Sequence, residues 1–450
     1  MTNISLNINT TKMVTLTVFF FLCSVLLLSQ APQPPKGTLT ETSYLEEILT
    51  EAALNNPGLK AAFHEWKAAL EKVPQVRALP DPQLTFAYFI QEIETRVGPQ
   101  QQKIGIMQMF PWFGKRKLMG SAAAEAANAA KELYQAVKLD LFYRVKETYY
   151  DYYYAVKTVS ILEENVRLLK DLEEVIRSRY RTGSAQFSGL VKIQVELDKL
   201  ADRLKSAKEV LHPLQTRLNA LINRPFNAPL SVPGEIPANT PRLSHEHLVS
   251  LLKQHNPILR AGDAMTAKEQ NGIKLAKKNY YPDFSIGVDY MLTGKSDMPG
   301  VADNGKDPIA AMISLRLPIH TKKNKAAVNE AHARYNSAMN RQKENENNLL
   351  ARLDMILFKY RDAQRKMLLY SDSLLPRARQ ALEVTRTSFE TGKAGFMDFI
   401  DSQRLLLTFE LEYEEAKTLR AQRLAEIEML TGNNLSDLTV KHTTDTKVLE

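Results

Sequence analysis

The chain has 450 residues, 24% of them charged, with a net charge of +8 and a mean hydropathy of -0.30, which excludes a bundle of membrane-spanning helices. Lys and Arg are mixed with Glu along helical stretches, as in Lys131-Glu132 and Glu163-Glu164 with Arg167. The basic excess therefore marks solvated helix faces, and no nucleic-acid partner is expected.

The one long apolar run is Val14 to Leu28, with Lys12 before it and Ser29-Gln30-Ala31 after it. At about fifteen residues it falls short of the ~20 that a spanning helix needs and fits the core of a signal peptide, so residues 1–31 read as one. The single cysteine, Cys23, sits inside this run behind Phe20-Phe21-Leu22, without the small residues that precede a lipidated cysteine. Removal of the segment leaves no cysteine, which excludes disulfides, zinc ribbons and thiol catalysis together.

After the polar, Pro-rich stretch from Ala31 to Gly37, Thr42-Ser43 opens a short helix ending near Asn55, and Pro57 starts another that runs to about Leu79, with Pro74 inside it expected to kink it. Pro80-Asp81-Pro82 stops that helix. Leu84, Phe86, Tyr88 and Ile90 then alternate with Thr85, Ala87 and Phe89 as in a strand, the loop from Glu92 to Gln101 follows, and Ile104 to Phe110 returns, giving a hairpin over 83–110. The chain breaks at Pro111-Trp112-Phe113-Gly114. From Lys115 to Tyr180 no proline or turn cluster intervenes, and Val137, Leu141, Val145, Tyr149, Tyr152, Val156, Val159, Leu162, Val166 and Leu169 recur at helical spacing as one buried face. This predicts one helix over 115–180, about 100 Å long. A turn at Thr182-Gly183 leads to a return helix over 188–221, kinked at Pro213.

The same order then repeats. Asn256-Pro257 matches Asn56-Pro57 at an offset of 200, and Thr391-Gly392 matches Thr182-Gly183 at an offset of 209. A first unit over 42–222 and a second over 244–431 are thus joined by a linker over 223–243, with a polar tail over 432–450. In the second unit the hairpin spans 283–317, the long helix 322–389 and the return helix 396–430, with Pro376 expected to kink the long one. Phe284, Ile286, Val288 and Tyr290 face one way and Ser285, Gly287 and Asp289 the other. Alternation of this kind suits a strand with one face on lipid and one on water, although a half-buried soluble strand reads the same way. Four strands cannot close a barrel alone.

Catalytic signatures are absent: there is no Gly-rich phosphate loop, Gly-x-Ser-x-Gly or His-Glu-x-x-His, and no enzyme activity, cofactor or metal centre is expected. His245-Glu246-His247 opens a helix and lacks a third ligand nearby. Met107, Met109 and Met119 cluster near the first strand-to-helix junction, where thioethers suit copper or silver but also fill gaps in packing. Trp112, Phe113, Tyr280 and Tyr281 fall where an aromatic girdle would sit, and Lys115 and Arg116 where basic side chains would meet lipid headgroups.

With its paired Asn-Pro elements, junctions at Pro111 and Pro318, and turns at Gly183 and Gly392, the chain resembles the outer membrane efflux proteins, the TolC-type channel-tunnels, from Thr42 to Asn433. The resemblance implies a mainly α protein with a membrane β part. It also implies a homotrimer in the outer membrane with a twelve-stranded barrel and a periplasmic helical tunnel, serving a periplasmic adaptor and an inner-membrane pump. The Pro111-Trp112-Phe113-Gly114-Lys115 junction resembles that of the heavy-metal branch and favours metal cations or drugs as cargo. Type I protein secretion and a periplasmic coiled-coil scaffold are the alternatives.

In that family the tip turns, here Gly183 and Gly392, contact the adaptor. An acid pair matching Asp398 and Asp401 rings the narrow periplasmic entrance. The family's additional gate residues, an acid after the first turn and a base after the second, read here as Gly189 and Ala394.

Overall fold

The computed structural model describes residues 41–183, 186–236, 243–433 and 435. The expected signal peptide over 1–31, most of the polar tail and part of the linker lie outside these residues. The first unit comprises α1 (Glu41–Asn55), α2 (Pro57–Arg77), β1 (Gln83–Ile93), β2 (Gln100–Phe110), α3 (Lys115–Arg181), α4 (Phe187–Glu209) and α5 (Leu211–Ile222). The second comprises α6 (His245–His255), α7 (Pro257–Lys278), β3 (Asp283–Thr293), β4 (Ile309–Arg316), α8 (Thr321–Leu369), a π-helical turn (Tyr370–Leu374), α9 (Leu375–Glu390) and α10 (Phe396–Thr431).

The Asn-Pro pairs that mark the repeat are joints between three helices. Asn56 Oδ1 accepts a hydrogen bond from the Leu59 amide at 2.9 Å, capping α2, while its Nδ2 donates to the Leu221 carbonyl at the end of α5. Asn256 does the same for α7, accepting from Ile258 and Leu259 and donating to the Leu430 carbonyl of α10 at 2.9 Å. Proline follows each cap because the first helical amide has no partner to lose. One side chain thus holds the start of one helix against the end of another.

The 67-residue α3 is continuous and about 100 Å long. Its buried stripe runs through Leu141, Val145, Tyr149, Tyr152, Leu162 and Leu169 of the expected one and continues to Leu172 and Ile176, whereas Val137 is exposed and Val156, Val159 and Val166 are half-buried at its margin. It packs on α2, α4 and α5 of its own unit and on α7 and α10 of the other.

Its counterpart is interrupted. The helix expected over 322–389 runs as α8, widens into the π turn at Tyr370–Leu374 and resumes as α9. Pro376 supplies no amide and its ring crowds the carbonyl of Asp372, and a wider turn relieves both. Tyr370 also donates its hydroxyl to Glu412 of α10, pinning the turn. Likewise the return helix expected over 188–221 divides at Val210, four residues after Ser206, ahead of Pro213. Pro74, by contrast, is carried inside α2, which ends at Arg77.

The four strands form one antiparallel sheet in the order β1-β2-β3-β4. Pairing of Phe110 with Phe284 and of Ile104 with Tyr290 joins the two units through β2 and β3. β2 starts at Gln100, earlier than Ile104, because pairing with β1 continues past Tyr88 through an irregularity to Ile93. Among the described residues, β1 and β4 have no partner on their outer edges.

Between the units, residues 223–236 strap across the helices. Ile236 is buried against Tyr153 and Ala421, and Glu235 accepts hydrogen bonds from Tyr153 at 3.0 Å and Lys417 at 2.5 Å, and also from Lys157. Partial burial alone would raise the Glu235 pKa, but the donors outweigh it and hold the carboxyl at about 2.

Candidate functional site

The pleat divides the sheet cleanly. One face carries Leu84, Phe86, Tyr88 and Ile90 of β1, Ile104 and Ile106 of β2, Ile286, Val288, Tyr290 and Leu292 of β3, and Ile309, Ile313 and Leu315 of β4, all exposed. So wide an apolar face does not stand in water on a monomer. The opposite face is mixed, carrying most of the strands' charged residues together with Phe89 and the strand methionines. On it Lys103 pairs with Asp289, and Gly105 lies between strands where a Cβ would fall 2.1 Å from Asp289 Oδ1. Among the described residues, no helix is long and apolar enough to cross a membrane.

At the strand-to-helix junction the expected aromatic residues come together. Trp112 stacks on Tyr281 at 5.4 Å and meets Phe113 edge-on at 5.6 Å, while Phe113 lies 6.1 Å from Phe284. Phe113, Tyr280 and Tyr281 remain exposed. Lys115 and Arg116 find partners within the chain. Lys115 is 8% exposed, with Nζ 2.8 Å from Asp283 Oδ1, which also accepts from the Trp112 amide at 2.8 Å. The Asp283 carboxylate thereby supplies the negative charge that the N-terminus of α3 favours. Arg116 Nε donates to the Arg77 carbonyl at 2.8 Å, capping the end of α2. Nothing local in the sequence links positions 115 and 283.

At the far end of the helices the two turns pack side by side. Leu162, Leu169, Leu172 and Ile176 of α3, Ile193 and Leu200 of α4, Phe389 of α9, and Ile400, Leu407 and Leu411 of α10 share one apolar cluster. Arg179 reaches from α3 to the other turn, donating to the carbonyls of Phe389 and Glu390 at 3.1 Å with its guanidinium 4.6 Å from the Phe389 ring. Gly183 and Gly392 both have φ of +75°, with open space around each. The need there is for the left-handed backbone, and a side chain would meet no neighbour.

Asp398 and Asp401 lie in the first turns of α10, and each has a local partner. Asp398 Oδ2 accepts from the Gly395 amide at 3.0 Å, closing the helix start. Asp401 accepts from Arg404 at 3.0 Å, and Arg404 Nε also donates to Glu196 of α4 at 3.1 Å. Arg404 thus ties α10 to α4. His245 approaches Asp354 at 3.6 Å, and among the described residues no three His, Cys, Asp or Glu side chains are grouped to hold a metal.

A family model described as outer membrane efflux protein matches residues 48–224 and 248–433. The chain is 24% identical over 386 residues to the cobalt-zinc-cadmium resistance protein CzcC of Cupriavidus metallidurans, covering 85% of this chain and 87% of that protein. Its fold is similar to that of CusC, with a TM-score of 0.74 and 16% identity over 90% of this chain and 96% of CusC. It is similar as well to that of the outer membrane protein VceC of Vibrio cholerae, with a TM-score of 0.73 and 15% identity over 88% and 98% of the two chains.

Proposed function

The chain belongs to the outer membrane efflux protein family and is an outer-membrane efflux channel, and we propose that three copies close their sheets into one twelve-stranded barrel above a helical tunnel. The observation that carries this reading is the four-stranded sheet with an apolar outer face and two unpaired edges. In a bilayer every strand edge needs a partner, and only closure provides it. The exposed aromatic residues Phe113, Tyr280 and Tyr281, with Trp112 stacked behind them, sit at the level of the membrane boundary. Lys115 and Arg116 fix the angle between barrel and helices.

The turns at Gly183 and Gly392 form the periplasmic end, where they dock an adaptor that connects the channel to an inner-membrane pump. Metal cations are the cargo, a reading supported by the CzcC relative, which is named a cobalt-zinc-cadmium resistance protein. Purified protein in planar bilayers is expected to open stepwise ion conductances; a trimer that conducts nothing would overturn this function.

Asp398 and Asp401 from three chains place six carboxylates around one axis at the entrance and attract cations. Asp398→Asn with Asp401→Asn is expected to lower cation selectivity and weaken block by multivalent cations in the same recordings. Selectivity and block like those of the unaltered protein would remove these residues from the entrance.

Gly183→Val with Gly392→Val forces a β-branched residue to positive φ, at about 1–2 kcal/mol each. Export is expected to fall while trimers remain in the membrane. Undiminished export would show that these turns are not where the adaptor docks.

A further inference from the structure

All four methionines in the strands project to the polar face. Met107 and Met109 on β2 alternate with the outward Ile106, Met291 on β3 lies between the outward Tyr290 and Leu292, and Met312 on β4 precedes the outward Ile313. Hydrophobicity alone would send them to the other face with leucine and isoleucine. With two faces open to each strand residue, chance places all four on the polar face about one time in sixteen.

Their register brings two of them to one spot. Gly287 pairs with Met107 on one side and with Met312 on the other, so the three share a row across β2, β3 and β4. With strands about 4.8 Å apart, the outer two backbones are about 10 Å from each other. A methionine side chain spans roughly half that gap, and Gly287 puts nothing between them. A Cβ at Gly287 would lie 3.4 Å from Met107 Cβ and 3.1 Å from the Ile106 carbonyl, so glycine keeps the space over this residue clear. One row along, Met109 faces Ser285, and Met107, Met109, Ser285 and Ser314 line a cavity of about 320 Å³ together with Asp81 and Asp283. Arg316 lines the same cavity, and Asp283 there is paired with Lys115.

We propose that Met107 and Met312 form a two-thioether site over Gly287 that takes a soft monovalent cation, Cu(I) or Ag(I), on the inner wall of the barrel. Thioether sulfur selects soft ions over hard ones, and being neutral it needs no deprotonation to bind. Two neutral ligands make a site that an ion enters and leaves, as a conduction path requires. The placement on an inner wall rests on the barrel described above, whereas the pair itself lies within one chain.

The test uses protein from the outer membrane with carbon-13 in the methionine methyl groups, titrated with silver nitrate in chloride-free buffer. Silver is expected to shift the methyl signals of Met107 and Met312, assigned from Met107→Leu and Met312→Leu, at one ion per chain, and zinc is not. The double variant, which conserves volume, is expected to bind silver at least tenfold more weakly at this site. Shifts confined to other methionines, or silver bound equally by the double variant, would overturn the proposal. A failure of the protein to trimerise would count against the barrel and leave this readout intact, because both thioethers belong to the same chain.

Discussion

Replacing Ile286 and Ile313 together by arginine is expected to keep the protein out of the outer membrane. The two residues are direct cross-strand partners on β3 and β4, exposed to 48% and 77% on the apolar face. An arginine facing lipid costs about 2–4 kcal/mol near the bilayer midplane. Two of them cost roughly 4–8 kcal/mol, comparable with the ~5–15 kcal/mol of net stability of a typical fold. Ser314→Arg is the control, because Ser314 neighbours Ile313 but points to the polar side, and it is expected to be tolerated. Fractionation followed by trimer detection on a gel reads both. Normal insertion of the double variant would show that this face does not meet lipid.

The second large effect is expected at Asn256. This side chain is 2% exposed and serves two helices at once, through the Ile258 and Leu259 amides and the Leu430 carbonyl. In Asn256→Ala the lost cap costs about 1 kcal/mol, and the buried carbonyl left without a donor adds about 1–3 kcal/mol. Thermal unfolding is expected several degrees lower. Asn56→Ala should cost less, because the equivalent hydrogen bond to the Leu221 carbonyl is only partly buried. Asn256→Asp separates the two roles, since it keeps the cap but turns an oxygen toward the Leu430 carbonyl. An alanine variant as stable as the parent would mean that water reaches this joint.

The repeat, the long helix from Lys115 and the two-faced strands were legible in the sequence because each is a periodic signal carried by many residues. Where one residue decides, the reading was coarser. Pro376 and Pro213 marked the right places, yet whether a helix bends, widens or divides depends on what packs beside it, and here Tyr370 finds Glu412 of a different helix. Lys115 looked like a headgroup contact because its partner Asp283 is remote in sequence and is brought near only by the β2–β3 pairing that joins the units. The ties made by Arg179 and by Arg404 to Glu196 are equally invisible from local pattern, since each crosses between helices of different units that no turn connects and that meet only through their shared apolar cluster.

Closure of the barrel by three chains is the premise on which the membrane, the tunnel and the entrance all depend. The mass of the protein in detergent, measured by light scattering with the detergent subtracted, tests it most directly. With a chain of 51.0 kDa before any processing, the account predicts a single species of about three chain masses. A species of one or two chain masses that retains its strands would contradict it, because four or eight such strands would then have to manage their open edges without the third copy.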